Sequence, residues 1–208
     1  MGQFAVVVIG ASLGGVEALQ ELVSGLKEDI PAAVLMVQHM GTNRSSLPEI
    51  LSSRGALPVR HARKRDLIRA GCILVAPPDH HLVVVDGAAL LTRGPRENWA
   101  RPAIDPLFRS AAMAYGPRVI GVILTGALDD GTAGLKDVRD RGGIAVVQDP
   151  EDAECEAMPA SALKHAGADF CVSLRDIPAL LQNLAAGIAD KEVHRAAITG
   201  ARKREILT

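Results

Sequence analysis

The chain has 208 residues, enough for one domain with a full hydrophobic core, and 48% of them are hydrophobic. Its formal net charge is −1 and its aromatic content is 2%. Nucleic-acid binding relies on basic surface and on stacking side chains, so this composition predicts no nucleic-acid partner.

The N-terminus indicates neither a secretory signal nor a membrane anchor. The segment MGQFAVVVIG enters an apolar run with no preceding basic residue. That run is far shorter than the ~18 apolar residues of a membrane span. The three cysteines have no CxxC spacing, so we expect neither a disulfide framework nor a metal site. These features predict a cytoplasmic protein with no direct membrane insertion.

The first half of the chain alternates β-rich apolar runs with segments of helical period. This pattern predicts a strand at 4–9, a helix at 15–26, a strand at 32–38 and a helix at 44–54. The stretch 58–92 has a different texture, with short strands at 72–76, 81–85 and 89–92 joined by PPDHH and VDGAA turns. It is interpreted as a hairpin-rich section at an edge of the sheet.

The alternation then resumes and runs almost to the C-terminus. Helices are predicted at 105–115, 132–141, 159–166 and 178–188, and strands at 118–125, 144–147 and 170–172. The predicted fold class is α/β: a Rossmann-like, doubly wound, mostly parallel sheet with an antiparallel, hairpin-rich edge. One domain is expected over 1–188. Residues 189–208 lack a strong apolar stripe and are predicted to form a tail, flexible or a short helix.

The first candidate functional element is GASLGG at 10–15, between the first strand and its helix. Ser12 would lie at the carboxyl end of the strand, where the backbone N–H groups of Leu13 or Gly14 can stabilise an oxyanion. The string also fits the G-x-S-x-G pattern of a nucleophile elbow. Two other interpretations stay open: a glycine turn for a nucleotide phosphate, and Ser12 as a plain helix cap.

Two further polar positions follow the ends of other strands. His39 follows the second strand, one crossover after Ser12, so both side chains should face the same crevice. Asp130 follows the strand at 118–125 and could orient the His39 imidazole. The alternatives are a structural histidine, and Asp129 or Asp130 as a helix cap. Together these positions predict a nucleophile, base and acid.

Several motifs in order resemble the catalytic domain of the chemotaxis methylesterase family, of CheB type. They are GASLGGVEAL from residue 10, VQHM from 37, RPAID from 101, GVILTGALDDGTAGL from 121 and AMP from 157. The resemblance covers about 4–185. It implies a Rossmann-like domain that hydrolyses glutamate methyl esters on chemoreceptors, often with glutamine deamidation. It also implies that Ser12 is the nucleophile, His39 the base and Asp130 the acid.

The sequence departs from the family pattern around these motifs. The first motif begins at residue 10, so we expect no receiver domain in this chain and a regulatory receiver protein acting in trans. The loop after His39 is GTNRSSLPE, Ala127 and Leu128 replace a methionine-glycine pair, and the segment before Met158 is acidic. These changes affect the expected substrate more than the expected reaction.

The expected mechanism is two-step acyl transfer without a metal or organic cofactor. Arg44 and Arg101 are candidates for steering an acidic helix of a chemoreceptor-like substrate, with solvated surface charges as the alternative. Two other functions stay open. One is a non-catalytic or partner-activated signalling and binding module of the same fold. The other is a nucleotide-binding domain, which rests on the glycine turn alone.

Overall fold

Ten strands organise the chain in a computed structural model that describes the backbone of residues 4–205 and the side chains of residues 4–191. In chain order they are β1 (Ala5–Ala11), β2 (Ala32–Gln38), β3 (Val59–His61), β4 (Asp66–Leu67), β5 (Ile73–Val75), β6 (His81–Val85), β7 (Ala88–Thr92), β8 (Val119–Ile123), β9 (Ile144–Gln148) and β10 (Phe170–Val172). Seven form one parallel sheet in the order β10-β9-β8-β1-β2-β5-β3. The other three form a small antiparallel sheet in the order β4-β7-β6.

Six α-helices connect and cover these strands. They are α1 (Gly15–Gly25), α2 (Leu47–Ser52), α3 (Ile104–Tyr115), α4 (Thr132–Asp140), α5 (Ala157–His165) and α6 (Ile177–Glu205). In α1, apolar residues recur at the spacing that places them on one face, and Leu19, Leu22 and Val23 are fully buried. Among the helices of the described residues, none is both long and apolar enough to cross a membrane.

The main sheet is covered on both faces because side chains alternate along each strand. In β1, Val7 and Ile9 belong to the core under α1, α2 and α6. Val6 and Val8 belong to the core under α3, α4 and α5. Burial on both faces explains why β1 and β2 are continuous apolar runs without polar alternation.

The chain reverses its direction of travel across the sheet next to β1. It runs from β1 to β2, on to β3 at the edge and back to β5 beside β2, and then returns to β8 on the other side of β1. Such a topological switch point opens a crevice at the carboxyl ends of the strands, where α/β proteins bind ligands. The loops that leave β1, β2 and β8 therefore meet at this crevice.

The predicted fold class is confirmed, and the structure refines its edge. The hairpin predicted at 81–92 forms as β6 and β7, but it belongs to the small sheet with β4 rather than to an edge of the main sheet. The edge of the main sheet is instead β3, which pairs in parallel with β5. Strands as short as β3 and β4 show no alternating pattern, so the sequence did not reveal them.

Two helices differ from the prediction in length. The helix α2 begins only at Leu47 because Pro48 favours the first turn of a helix, whereas the predicted helix begins at 44. The helix α6 continues to Glu205 rather than ending at 188, so the expected tail is a continuation of the last helix over the described residues. Residues 206–208 of that tail lie outside the described residues, and the boundary at 188 stays a prediction.

Candidate active site

Three polar side chains meet at the carboxyl ends of neighbouring strands. Ser12 follows β1, His39 follows β2 and Asp130 lies in the loop after β8. The sheet ladder continues one step beyond the strands, because the Ser12 N–H donates to the Thr125 carbonyl and the His39 N–H donates to the Ala11 carbonyl, each at 3.0 Å. The sheet register thus fixes the spacing of the nucleophile and base candidates.

The three side chains form one hydrogen-bonded row. His39 Nδ1 lies 3.1 Å from Ser12 Oγ, and His39 Nε2 lies 2.6 Å from Asp130 Oδ2. When the ring proton is on Nε2, that N–H donates to the carboxylate and the Nδ1 lone pair faces the hydroxyl. The row is therefore arranged for proton transfer from Ser12 to His39.

The environment of Asp130 keeps this carboxyl group ionised. Burial favours the neutral form, since the residue is only 2% exposed. Hydrogen bonds from His39, from the Ile104 N–H at 2.7 Å and from Asn98 Nδ2 at 2.6 Å outweigh that effect and lower the pKa of Asp130 below its usual range. An ionised Asp130 can stabilise a protonated His39.

A second buried carboxyl group, Asp105, lies beside Asp130 and shares a donor with it. Asn98 Nδ2 donates to Asp130 Oδ1 at 2.6 Å and to Asp105 Oδ2 at 2.8 Å. Asp105 Oδ1 also accepts from the Gly134 N–H at 2.6 Å. Burial, which exceeds the effect of that backbone bond, together with the charge of Asp130 raises the pKa of Asp105 above its usual range.

Asn98 and Asp105 were not among the predicted site residues. Asp105 is the last residue of the RPAID motif, so one of the motifs that resemble the family already contains it. Asn98 lies 32 residues before Asp130 in a tight turn, where Asn98 and Trp99 have φ values of 48° and 62°. Only the turn chemistry of asparagine, which tolerates the left-handed region, marks this position in the sequence.

The turn after β1 has the geometry that the sequence predicts for an anion-stabilising turn. Gly14 has a φ of 73°, and a Cβ atom added there would lie 2.5 Å from Glu154 Oε2, so glycine is required. Within residues 4–191, no hydrogen bond takes up the N–H groups of Leu13 or Gly14. Both donors are therefore available at the crevice beside Ser12.

The helix-cap interpretations are wrong for both loops. The residue that precedes α1 is Gly14, and the residue that precedes α4 is Gly131; neither helix has a side-chain cap. Ser12 and Asp130 instead direct their side chains to His39. The hydroxyl and the carboxylate serve the site and not the helix ends.

The two arginines proposed for steering have different surroundings. Arg101 donates to Asp79 Oδ1 from Nε at 2.9 Å and from Nη2 at 2.6 Å, and to the Gly94 carbonyl at 2.8 Å. This geometry favours a structural role for Arg101 in the segment before α3. Arg44 is exposed on the loop after His39, and no ion pair within residues 4–191 involves it.

Three large apolar side chains on the loops around the row are exposed to solvent. Leu13, beside Ser12, is 58% exposed; Leu128, two residues before Asp130, is 67% exposed; and Trp99 is 89% exposed. Large apolar side chains exposed around a polar site indicate a surface that contacts other molecules. Within the described residues, no group of three or more His, Cys, Asp or Glu side chains is placed to hold a metal ion.

The fold and the site together define an α/β domain with a serine–histidine–aspartate row at a topological switch point. A family model described as CheB methylesterase matches residues 7–181, and the chain belongs to that family. The sequence resemblance to this family is thereby confirmed.

Individual relatives agree with this assignment. The chain is 37% identical over 183 residues to a protein of Leptospira interrogans provisionally named protein-glutamate methylesterase/protein-glutamine glutaminase, covering 87% of this chain and 95% of the relative. It is 41% identical over 180 residues to protein-glutamate methylesterase/protein-glutamine glutaminase 2 of Anaeromyxobacter dehalogenans, covering 86% of this chain and 53% of the relative. The crystal structure of the Thermotoga maritima CheB methylesterase catalytic domain superposes with a TM-score of 0.84 at 33% identity, covering 89% of this chain and all of that domain.

Proposed function

We propose that the chain is a protein-glutamate methylesterase that hydrolyses glutamate methyl esters on chemoreceptor-like proteins. Family membership and the names of the relatives support this reaction. The observation that carries it is the row at the crevice, with 3.1 Å between Ser12 and His39 and 2.6 Å between His39 and Asp130. This geometry supports esterase chemistry rather than the non-catalytic binding module.

The proposed reaction proceeds in two acyl-transfer steps. Ser12 Oγ attacks the ester carbonyl while His39 Nδ1 accepts the hydroxyl proton, and Asp130 stabilises the imidazolium. The N–H groups of Leu13 and Gly14 stabilise the oxyanion of the tetrahedral intermediate. His39 then protonates the departing methoxide to release methanol, and a water molecule hydrolyses the acyl-enzyme in the same manner.

A second activity, glutamine deamidation, follows from the same chemistry. The relatives carry the name protein-glutamine glutaminase alongside methylesterase. Attack of Ser12 on a side-chain amide would give the same acyl-enzyme with ammonia as the leaving group. We propose this as a secondary activity, measured as ammonia release from receptor fragments that carry glutamine at the methylation positions.

The substrate is proposed to be a methylated signalling protein rather than a small ester. The exposed side chains of Leu13, Trp99 and Leu128 offer an apolar surface around the row for a protein segment, and Arg44 offers a positive charge beside it. Regulation by a receiver protein in trans, a cytoplasmic location and the absence of a nucleic-acid partner stay predictions from the sequence.

Methanol release from methylated chemoreceptor cytoplasmic fragments tests the proposed function. The parent chain should release methanol, and Ser12→Ala should abolish release because Ser12 carries the hydroxyl that bonds His39 among the described residues. Ser24→Ala is the matched control, since Ser24 is exposed on α1 and bonds only to its own helix. If the folded parent chain releases no methanol, receptor esters are not its substrate when it acts without a partner. If Ser12→Ala retains release, Ser12 is not the nucleophile.

A further inference from the structure

Two buried polar side chains that the proposed mechanism does not use contact the turn that carries Ser12. Gln38, 5% exposed, is the last residue of β2, and Thr125, 1% exposed, lies just beyond β8. These two strands flank β1 on opposite sides. The turn is thus held from both neighbouring strands.

Each side chain binds one carbonyl oxygen of the turn. Gln38 Nε2 donates to the Ser12 carbonyl at 2.7 Å and to the His39 carbonyl at 3.0 Å. The Thr125 hydroxyl donates to the Leu13 carbonyl at 2.9 Å and accepts from the Cys155 N–H at 2.8 Å. The Leu13 carbonyl is the nearer of two acceptors for this hydroxyl, since the Cys155 carbonyl lies 3.4 Å away.

A carbonyl held in this way also fixes the N–H group of the same peptide unit. In a planar trans peptide the C=O and N–H bonds point in opposite directions. Gln38, together with the Gly15 N–H that donates to the same oxygen at 2.9 Å, holds the Ser12 carbonyl and so directs the Leu13 N–H away from the Gln38 amide. Thr125 holds the Leu13 carbonyl and so directs the Gly14 N–H away from the Thr125 hydroxyl. Neither of these N–H groups takes up a hydrogen bond within residues 4–191.

We propose that Gln38 and Thr125 are positioning residues that orient the oxyanion donors of the site. This inference rests on the proposed function, because it assigns a purpose to the Leu13 and Gly14 N–H groups during ester hydrolysis. Donors that are oriented before reaction need no reorganisation as charge develops on the carbonyl oxygen. The two residues act on the transition state through the backbone and do not touch the substrate.

Gln38 has a second feature that sets it apart from an ordinary buried glutamine. Its Oε1 atom is buried without a hydrogen-bond partner among the described residues. A buried acceptor without a partner costs stability, a cost that the two bonds donated by Nε2 offset. Through these bonds the donor group joins the turn of Ser12 to that of His39.

The test is the kinetics of methanol release by Thr125→Val and Gln38→Leu. Removal of one oxyanion donor lowers kcat by about 10²–10³, and loss of its orientation should lower kcat by about 10–10². KM should stay within about twofold of the parent value, because the interaction is made only in the transition state. Thr125→Ser restores the hydroxyl and should recover most of the parent kcat.

Gln182→Leu is the matched control for Gln38→Leu. Gln182 also has a buried Oε1 atom without a partner, but it lies on α6 and bonds Asp29. Its substitution should leave kcat unchanged. Where Thr125→Val does not fold, Gln38→Leu decides the test with the same expected split between kcat and KM.

The outcomes separate this inference from the proposed function. If the parent chain releases methanol and the folded variants keep its kcat, the positioning role is wrong while the esterase stands. The same conclusion follows if KM rises and kcat does not fall. If the parent chain itself releases no methanol, the result counts against the proposed function and not against the positioning role.

Discussion

Asp130 and Asp105 are adjacent carboxyl groups whose pKa values are displaced in opposite directions. Burial favours the neutral form of both, but four hydrogen-bond donors, from His39, Asn98 and the N–H groups of Ile104 and Asp105, face Asp130, and its pKa is lowered. Asp105 has fewer compensating bonds and faces the charge of Asp130, so its pKa is raised. The shared Asn98 amide lets the two carboxyl groups lie side by side.

These opposite displacements predict opposite effects of pH on the stability of two variants. A lowered folded-state pKa means that Asp130 stabilises the fold above about pH 4, and that this contribution is lost as the pH falls through the folded-state value. A raised pKa means that ionised Asp105 weakens the fold increasingly as the pH rises above about 4. Each unit of displacement corresponds to about 1.4 kcal/mol.

Urea unfolding of Asp130→Asn and Asp105→Asn across the acid range measures this effect. The free energy of unfolding of Asp130→Asn, taken relative to that of the parent chain, should rise as the pH falls below about 4. Asp105→Asn should gain relative stability as the pH rises above about 4. The test is how the difference in free energy of unfolding between each variant and the parent chain changes with pH, and not the size of that difference at one pH. Slopes of the same sign would contradict the assigned environments.

Asn98 is expected to matter for the rate because it donates to Asp130, the acid of the proposed mechanism. Asn98→Gly keeps the turn, since glycine adopts the left-handed φ of 48°, and removes the donor to Asp130. A hydrogen bond to a charged group contributes about 1.5–3 kcal/mol, so kcat should fall about tenfold or more with KM little changed. Steady-state methanol release checks this. A parent-like kcat would mean that Ile104 and His39 hold Asp130 without it.

The sequence identified the three residues of the row but not their supports. Ser12, His39 and Asp130 each follow a predicted strand, and parallel strands bring such positions to one edge. Asn98 belongs to no predicted element and reaches Asp130 through a turn whose conformation the pattern does not encode. In the sequence Gln38 stands out only as part of the VQHM motif, because its contacts are with backbone carbonyls that no sequence pattern marks.

The elements divide into those that build the crevice and those that cover the sheet. The last helix, α6, covers the sheet through Ile177, Leu181, Ala185 and Ile188, which are buried in the core that contains α1. The buried side chains described on α6 all precede residue 189. The backbone of the helix continues to Glu205.

This arrangement predicts that the two halves of α6 contribute very differently to stability. Leu181 is fully buried, so Leu181→Ala should lower the free energy of unfolding by about 2–5 kcal/mol. The sequence predicts a tail without a strong apolar stripe over 189–208, so deletion of residues 190–208 should change the free energy of unfolding by no more than about 0.5 kcal/mol. Chemical denaturation of both variants checks the contrast. A large loss on deletion would show that the end of the helix packs onto the domain.

Element predictions from the sequence succeeded where the hydrophobic pattern was long. The strand β2 has the predicted bounds, and α1 and α4 end within one residue of prediction. The pattern failed for β3 and β4, which have three and two residues. It also failed beyond 188, where the helix continues without the apolar stripe from which a helix is recognised.

At the scale of the whole molecule, the crevice is open and its surroundings suit a protein substrate. The exposed rim includes Leu13, Leu128 and Trp99, on three separate loops. Trp99 is the most exposed of them and is held in the left-handed region by a turn that also carries Asn98. A large aromatic side chain presented in this way suits docking of an apolar or amphipathic segment.

Trp99→Ala should therefore affect substrate binding more than chemistry. Loss of an exposed aromatic anchor should raise KM for methylated receptor fragments about tenfold, with kcat unchanged. Met113→Ala is the control, because Met113 is 69% exposed on α3, away from the loops of the row. Equal KM values for the parent chain and Trp99→Ala would exclude the turn from the docking surface.

The most direct measurement compares single and combined substitutions in the row itself. Methanol release from methylated receptor fragments would be followed for Ser12→Ala, His39→Ala, and the variant with both changes. Residues that act as one unit are not additive, so each single change should cost about as much as both together. This lack of additivity is expected if Ser12 and His39 act together as nucleophile and base. Losses that multiply in the double variant would contradict it and would mean that the two side chains act independently.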